Sequence, residues 1–169
     1  MKKTLMLLMA VVLLTLTVVR AQQPWVTHKV NNRVSFKFPS TPREFIPGSF
    51  MAVAPDSSVV YIFTLVDFAK VANLDSAALA PVKATPEFAA QLKTGMKQSL
   101  PDVNLSDFKI GIWKGFTCYT SSGLDSKNKE YDMFMFIIGN NLYSLSTVIA
   151  NGASLKGRDD FFASIILSN

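Results

Sequence analysis

One cysteine, Cys118, and one histidine, His28, are the residues whose types could pair for nucleophilic catalysis, and 90 positions separate them. A cysteine attacks as its thiolate, which forms near neutral pH only beside a cation, an imidazolium or a helix N-terminus. Cys118 sits in KGFTCYTSSG, where Phe116, Cys118 and Thr120 alternate with Thr117, Tyr119 and Ser121. That alternation is a β-strand pattern, with the thiol on the same face as a phenylalanine. Free cysteine is among the most buried residue types, so the pattern favours a core thiol. A reactive thiol assisted by His28 and a disulfide between two chains are the alternatives. His28 alternates with Val26 and Val30, the pattern of a half-buried structural histidine.

Paired carboxylates are the second chemistry to weigh, because two of them flanking a glycosidic bond can hydrolyse it. Asp67, Asp107, Glu130 and Asp132 fall at expected strand ends or edges, but nothing in their spacing selects two of them. A zinc site needs three or four His, Cys or carboxylate ligands, and this chain offers one of each soft type. Neither Asp125 nor the pair Asp159-Asp160 has the carboxylate density of a calcium loop. The glycine patterns of dinucleotide and P-loop sites and the GxSxG serine elbow are missing. No catalytic residue, metal or cofactor is therefore expected. Trp113, beside Lys114 at a hairpin turn, and Tyr131, in the opposite loop, are the candidates for ligand or partner contact. Aromatics at loop tips often anchor such contacts. Met133, Phe134, Met135 and Phe136 are expected to be core on both sides of their strand.

The elements that must position these residues begin after a leader. MKKTLMLLMAVVLLTLTVVRA has two lysines, an apolar run from Leu5 to Val19, and small residues at Val19 and Ala21. This is the layout of a secretory signal cleaved after Ala21. The run of 15 residues is shorter than the roughly 20 that span a bilayer, and Arg20 ends it. The expected mature chain is a single domain over 22–169, exported to a periplasm or beyond the cell, with no later membrane span. No cysteine lies near the cleavage point to carry a lipid. Lys2, Lys3 and Arg20 leave with the signal, so 17 basic residues fall to 14 against 12 acidic ones. The lysines that remain are scattered singly, without the basic stripe a nucleic-acid binder uses.

WVTHKV and RVSFKF read as strands around Asn31-Asn32, with asparagine supplying the left-handed conformation a tight turn requires. SFMAV and SVVYIFTLVDF make a second hairpin, whose second arm is apolar on both faces and so belongs at the sheet's centre. Asn73 to Thr85 reads as a connection. Thr85 caps a helix that Pro86 opens, with Phe88, Leu92, Met96 and Leu100 in one stripe and Pro101 ending it. Gly95 in its interior suggests close approach to the sheet. VNLSDFKIGIW, GFTCYTSSG, KEYDMFMFIIG and NLYSLSTVIA follow as strands, and Arg158 to Leu167 reads as a helix running into an apolar tail. The fold class is α+β, an antiparallel β-sheet covered by helices on both faces.

The order of these elements, with RVSFKFPSTPRE, VVYIFTLVDF, NLYSLSTV and DFFASIIL at corresponding places, resembles the PsbP-like superfamily. That group includes photosystem II extrinsic subunits and DcrB-like bacterial envelope proteins. The resemblance implies an α/β/α sandwich and an accessory or binding role in the envelope, through a protein partner or a small ligand. The family has no shared catalytic residues to carry over. The alternatives are an enzyme using Cys118 with His28 or a carboxylate pair, and a structural or assembly component.

Overall fold

The computed structural model describes residues 24–168. The expected signal and its cleavage point lie outside the described residues. Strands β1 (Val26–Lys29) and β2 (Val34–Phe38) pair antiparallel as the sequence predicts. The turn between them differs. Neither asparagine is left-handed; Asn31 Oδ1 instead accepts the backbone N–H groups of Arg33 and Val34 at 2.8 and 2.9 Å. A side chain thus does the work expected of the backbone. Strand β3 (Arg43–Ile46), which the sequence pattern does not announce, pairs with β4 (Ser49–Val53). All four of its residues are exposed, so no alternation marks it.

Strand β5 (Val59–Asp67) runs into α1 (Phe68–Ala72), with Asp67 capping the helix by accepting the N–H of Ala69. The stretch expected to be a plain connection contains α2 (Ser76–Leu79), which Asp75 caps and whose Leu79 is fully buried. Helix α3 (Pro86–Ser99) starts as predicted: Thr85 Oγ1 accepts the N–H of Phe88 at 3.3 Å, and Pro86 fills the first position, where no N–H is needed. Strands β6 (Val103–Leu105), β7 (Lys109–Trp113), β8 (Phe116–Asp125), β9 (Glu130–Ile138) and β10 (Asn141–Ile149) follow. The end of the chain is a short helix followed by an apolar tail, as the sequence predicts, and the tail pairs as a strand. Helix α4 (Lys156–Ala163) stops, and Ile166–Leu167 form β11.

Eight of these strands form an antiparallel sheet in the order β3-β4-β5-β10-β9-β8-β6, with β7 also on β8. One face carries Tyr61, Phe63, Phe136, Tyr143 and Leu145. It is covered by a second sheet, β1-β2-β11, and by α4. Phe36, Phe38 and Phe161 pack into that layer with no exposure, each burial contributing about 2–3 kcal/mol. The other face carries Tyr119, Met133, Met135, Ile137 and Leu142 against Phe68, Leu79 and Phe88 of α1, α2 and α3. Helices were expected on both faces; the cover observed is largely a β-sheet on one and helices over part of the other.

Candidate functional site

Cys118 and His28 serve different parts of the sheet. Cys118 is buried on β8, opposite Gly111 and Phe136, and burial pushes its thiol up despite the Gly111 N–H on the sulfur. His28 lies from β1 over Phe50 and Phe63 of β4 and β5, with its ring 4.3 Å from that of Phe50. Strands β10 and β9 stand between β5 and β8, so ~14 Å of sheet separates the two sites at the usual strand spacing. The pair needed for thiol catalysis is not assembled.

Among the four carboxylates, Asp67 is occupied by capping α1 and by the Asn140 amide at 2.5 Å. Asp107 is exposed and paired with Lys93 at 2.7 Å, and that hydrogen bond lowers its pKa. Glu130 and Asp132, two residues apart on one face of β9, do meet, but around Arg158. Arg158 Nη1 lies 2.9 Å from Asp132 and 3.8 Å from Glu130, and its Nε lies 2.9 Å from Asp159. Burial and then the neighbouring Asp132 raise the pKa of Glu130, partly offset by the guanidinium. A recess of about 340 Å³ opens beside this cluster, yet its one arginine is already engaged by carboxylates. Asp125 closes its own turn by accepting the N–H groups of Lys127 and Lys129, and Asp160 pairs with Lys156. Among the described residues no group of three or more His, Cys, Asp or Glu is placed to hold a metal ion.

Trp113 is half-buried, its ring 5.5 and 4.9 Å from Phe134 and Phe136, with Lys114 Nζ 4.8 Å above it. Tyr131 faces the opposite way and borders the largest opening among the described cavities, a groove of about 600 Å³ on the helix-covered face. Burial raises the pKa of its phenol, with Asp125 and Asp102 adding to the effect.

Sequence reasoning missed this groove, and its origin is local. Helix α3 packs its Phe88 and Ala89 over the β6–β8 end of the sheet, beside Val103, Leu105 and Tyr119. The β4–β5–β10 half of the same face is left open to one flank of the helix. Val60, Ile62, Thr64 and Val66 of β5 are all only half-buried there. Gly95 was expected to let α3 approach the sheet; instead, a Cβ placed on it would meet nothing within 4 Å, and the residue borders the groove. The far rim is β3, where Phe45 and Ile46 are 49% and 56% exposed. Phe68, Ala72 and Leu74 line it near α1.

The floor is not wholly apolar. Ser49, Thr64 and Ser144 stand side by side on β4, β5 and β10, because the register pairs Ser49 with Thr64 and Thr64 with Ser144. Ser49 Oγ donates to Thr64 Oγ1 at 3.1 Å. Ser144 is 3% exposed and its hydroxyl makes no hydrogen bond with any described residue. In the sequence the signal is NLYSLSTVI, where Ser144 and Ser146 interrupt a strand face that Leu142 and Val148 otherwise make apolar.

No protein-family model and no curated protein sequence matches the chain. Several solved structures resemble it, two of which follow. A Bacteroides thetaiotaomicron VPI-5482 protein has 17% identity over 88% of this chain and a TM-score of 0.45; the chain spans 49% of that protein's length. The cyanobacterial PsbP (CyanoP) of Synechocystis sp. PCC 6803 has 11% identity, covers 90% of this chain and 96% of its own, and superposes with a TM-score of 0.62. The protein has a PsbP-like fold.

Proposed function

We propose that this is an exported, non-catalytic accessory protein of the cell envelope that works by binding, and that the groove between α3 and β4–β5–β10 is its binding site. The groove carries the reading. Its volume of about 600 Å³, its apolar walls and its few convergent hydroxyls are what small-molecule sites generally present. The candidate nucleophile and base stand apart, and the one carboxylate pair that forms is closed by an arginine. The leader pattern Met1–Ala21 supports export, and no helix among the described residues is long and apolar enough to cross a membrane.

The test is titration with N-phenylnaphthylamine, a neutral dye that fluoresces on entering an apolar site. The protein should bind one dye per chain, and Gly95→Trp, which fills the open space over the floor, should abolish binding while leaving the denaturation transition cooperative. Absence of binding, or equal binding by the variant, would overturn the assignment.

A further inference from the structure

Resting on the groove as the binding site, we infer that its occupant is a single aliphatic chain bearing one uncharged polar linkage, such as the acyl chain of a neutral ester, with that linkage hydrogen-bonded to Ser144.

Charge gives the first argument. No Asp, Glu, Lys or Arg lines the groove, so an ionised group inside it would lose its hydration without compensation. Shape gives the second. The floor follows β10 from Leu142 to Val148, seven residues or ~20 Å of strand, and α3 borders it from Phe88 to Leu100. A linear aliphatic chain can lie along a floor of that length, between β10 and α3.

The hydroxyl of Ser144 gives the third and independent argument. It lies in the middle of the floor, between Leu142 and Ser146, on a residue 97% withdrawn from solvent, and has no partner among the described residues. Lining the groove without such a partner, this hydroxyl is a donor and acceptor that a ligand oxygen can meet. A carbonyl or hydroxyl on a linear ligand lying along the floor would sit beside it.

The experiment displaces the bound dye with monolaurin (a neutral ester), laurate (the same chain ending in a carboxylate) and dodecane (no polar group), all below their aggregation limits. Monolaurin should displace it one for one and more tightly than either of the others. Ser144→Ala should weaken monolaurin roughly two- to tenfold, the worth of one hydrogen bond, and leave dodecane unchanged. Because Ser144 has no internal partner, this variant should be at least as stable as the parent, which keeps the comparison clean. Displacement by none of the three from a groove that binds the dye would overturn the ligand class and leave the site standing. Displacement by an amphipathic helical peptide instead would overturn it in favour of a protein partner. Monolaurin affinity indifferent to Ser144→Ala would overturn the assignment of the linkage. Failure of the dye itself to bind would overturn the site and the class together.

Discussion

Arg158 on α4 reaches Asp132 on β9 at 2.9 Å, with side-chain exposures of only 22% and 11%, and so bolts the C-terminal helix to a central strand by a partly buried ion pair. Removing one partner strands the other charge away from water. Arg158→Met should cost about 3 kcal/mol in denaturant-determined stability. The double variant with Asp132→Leu should recover part of that loss. A double variant no more stable than the single would show that the arginine contributes through packing alone.

His28 makes stability depend on pH in a definite direction. Its imidazole is set among Phe36, Phe38, Phe50 and Phe63, and burial lowers its pKa below the ordinary 6.5, with Glu44 acting weakly the other way. Below 6.5 the unfolded chain therefore takes up a proton that the native state resists. The stability is fully present above that value and falls as the pH drops through it towards the native pKa. Urea midpoints at pH 7.5 and 5.5 should separate further for the parent than for His28→Gln. Equal separations would remove His28 as the cause, since the carboxylates are common to both.

Cys118 should behave as core. With the thiol buried and its pKa raised, a disulfide reagent at pH 8 should label the native protein only as fast as it unfolds, and label it at once in denaturant. Rapid native labelling would contradict the burial described here.

Gly123 is fixed by a close approach. A methyl there would stand 2.5 Å from the carbonyl oxygen of Asn104 and 3.0 Å from the Cα of Leu105, both backbone atoms of the paired strand β6. Gly123→Ala should destabilise by about 1–3 kcal/mol, the usual cost of forced overpacking. Hydrogen exchange should rise in Val103–Leu105 first. Unchanged protection there would mean that the strands separate without penalty.

The hairpins, helix α3 and the long strands were legible because each is announced by local chemistry: alternating Val34, Phe36 and Phe38, the Thr85-Pro86 start, the two-faced apolar run of β9. Strand β3 carried no alternation, because all four of its residues face solvent. That the apolar tail after α4 forms a strand was not legible, because Ile166 and Leu167 suit a helix as well as a strand, and only pairing with Ser35 and Val34 decides it. The groove failed for the same non-local reason. Ser49, Thr64 and Ser144 are scattered over the sequence and become neighbours only through sheet register, and where α3 settles depends on Val103, Leu105 and Tyr119 beneath it. Tyr131 was singled out for a loop position, and its place on the groove wall follows from the register of β9.

The pairing of β11 with β2 has a kinetic consequence. Residues 34–35 complete their ladder only with residues 166–167, so this edge of β2 stays unfinished until two segments far apart in the sequence meet. Contacts this distant along the sequence slow folding. Phe36 and Phe161, which meet in the aromatic layer beneath β2, are likewise joined across most of the described residues, so that layer shares the same kinetic burden.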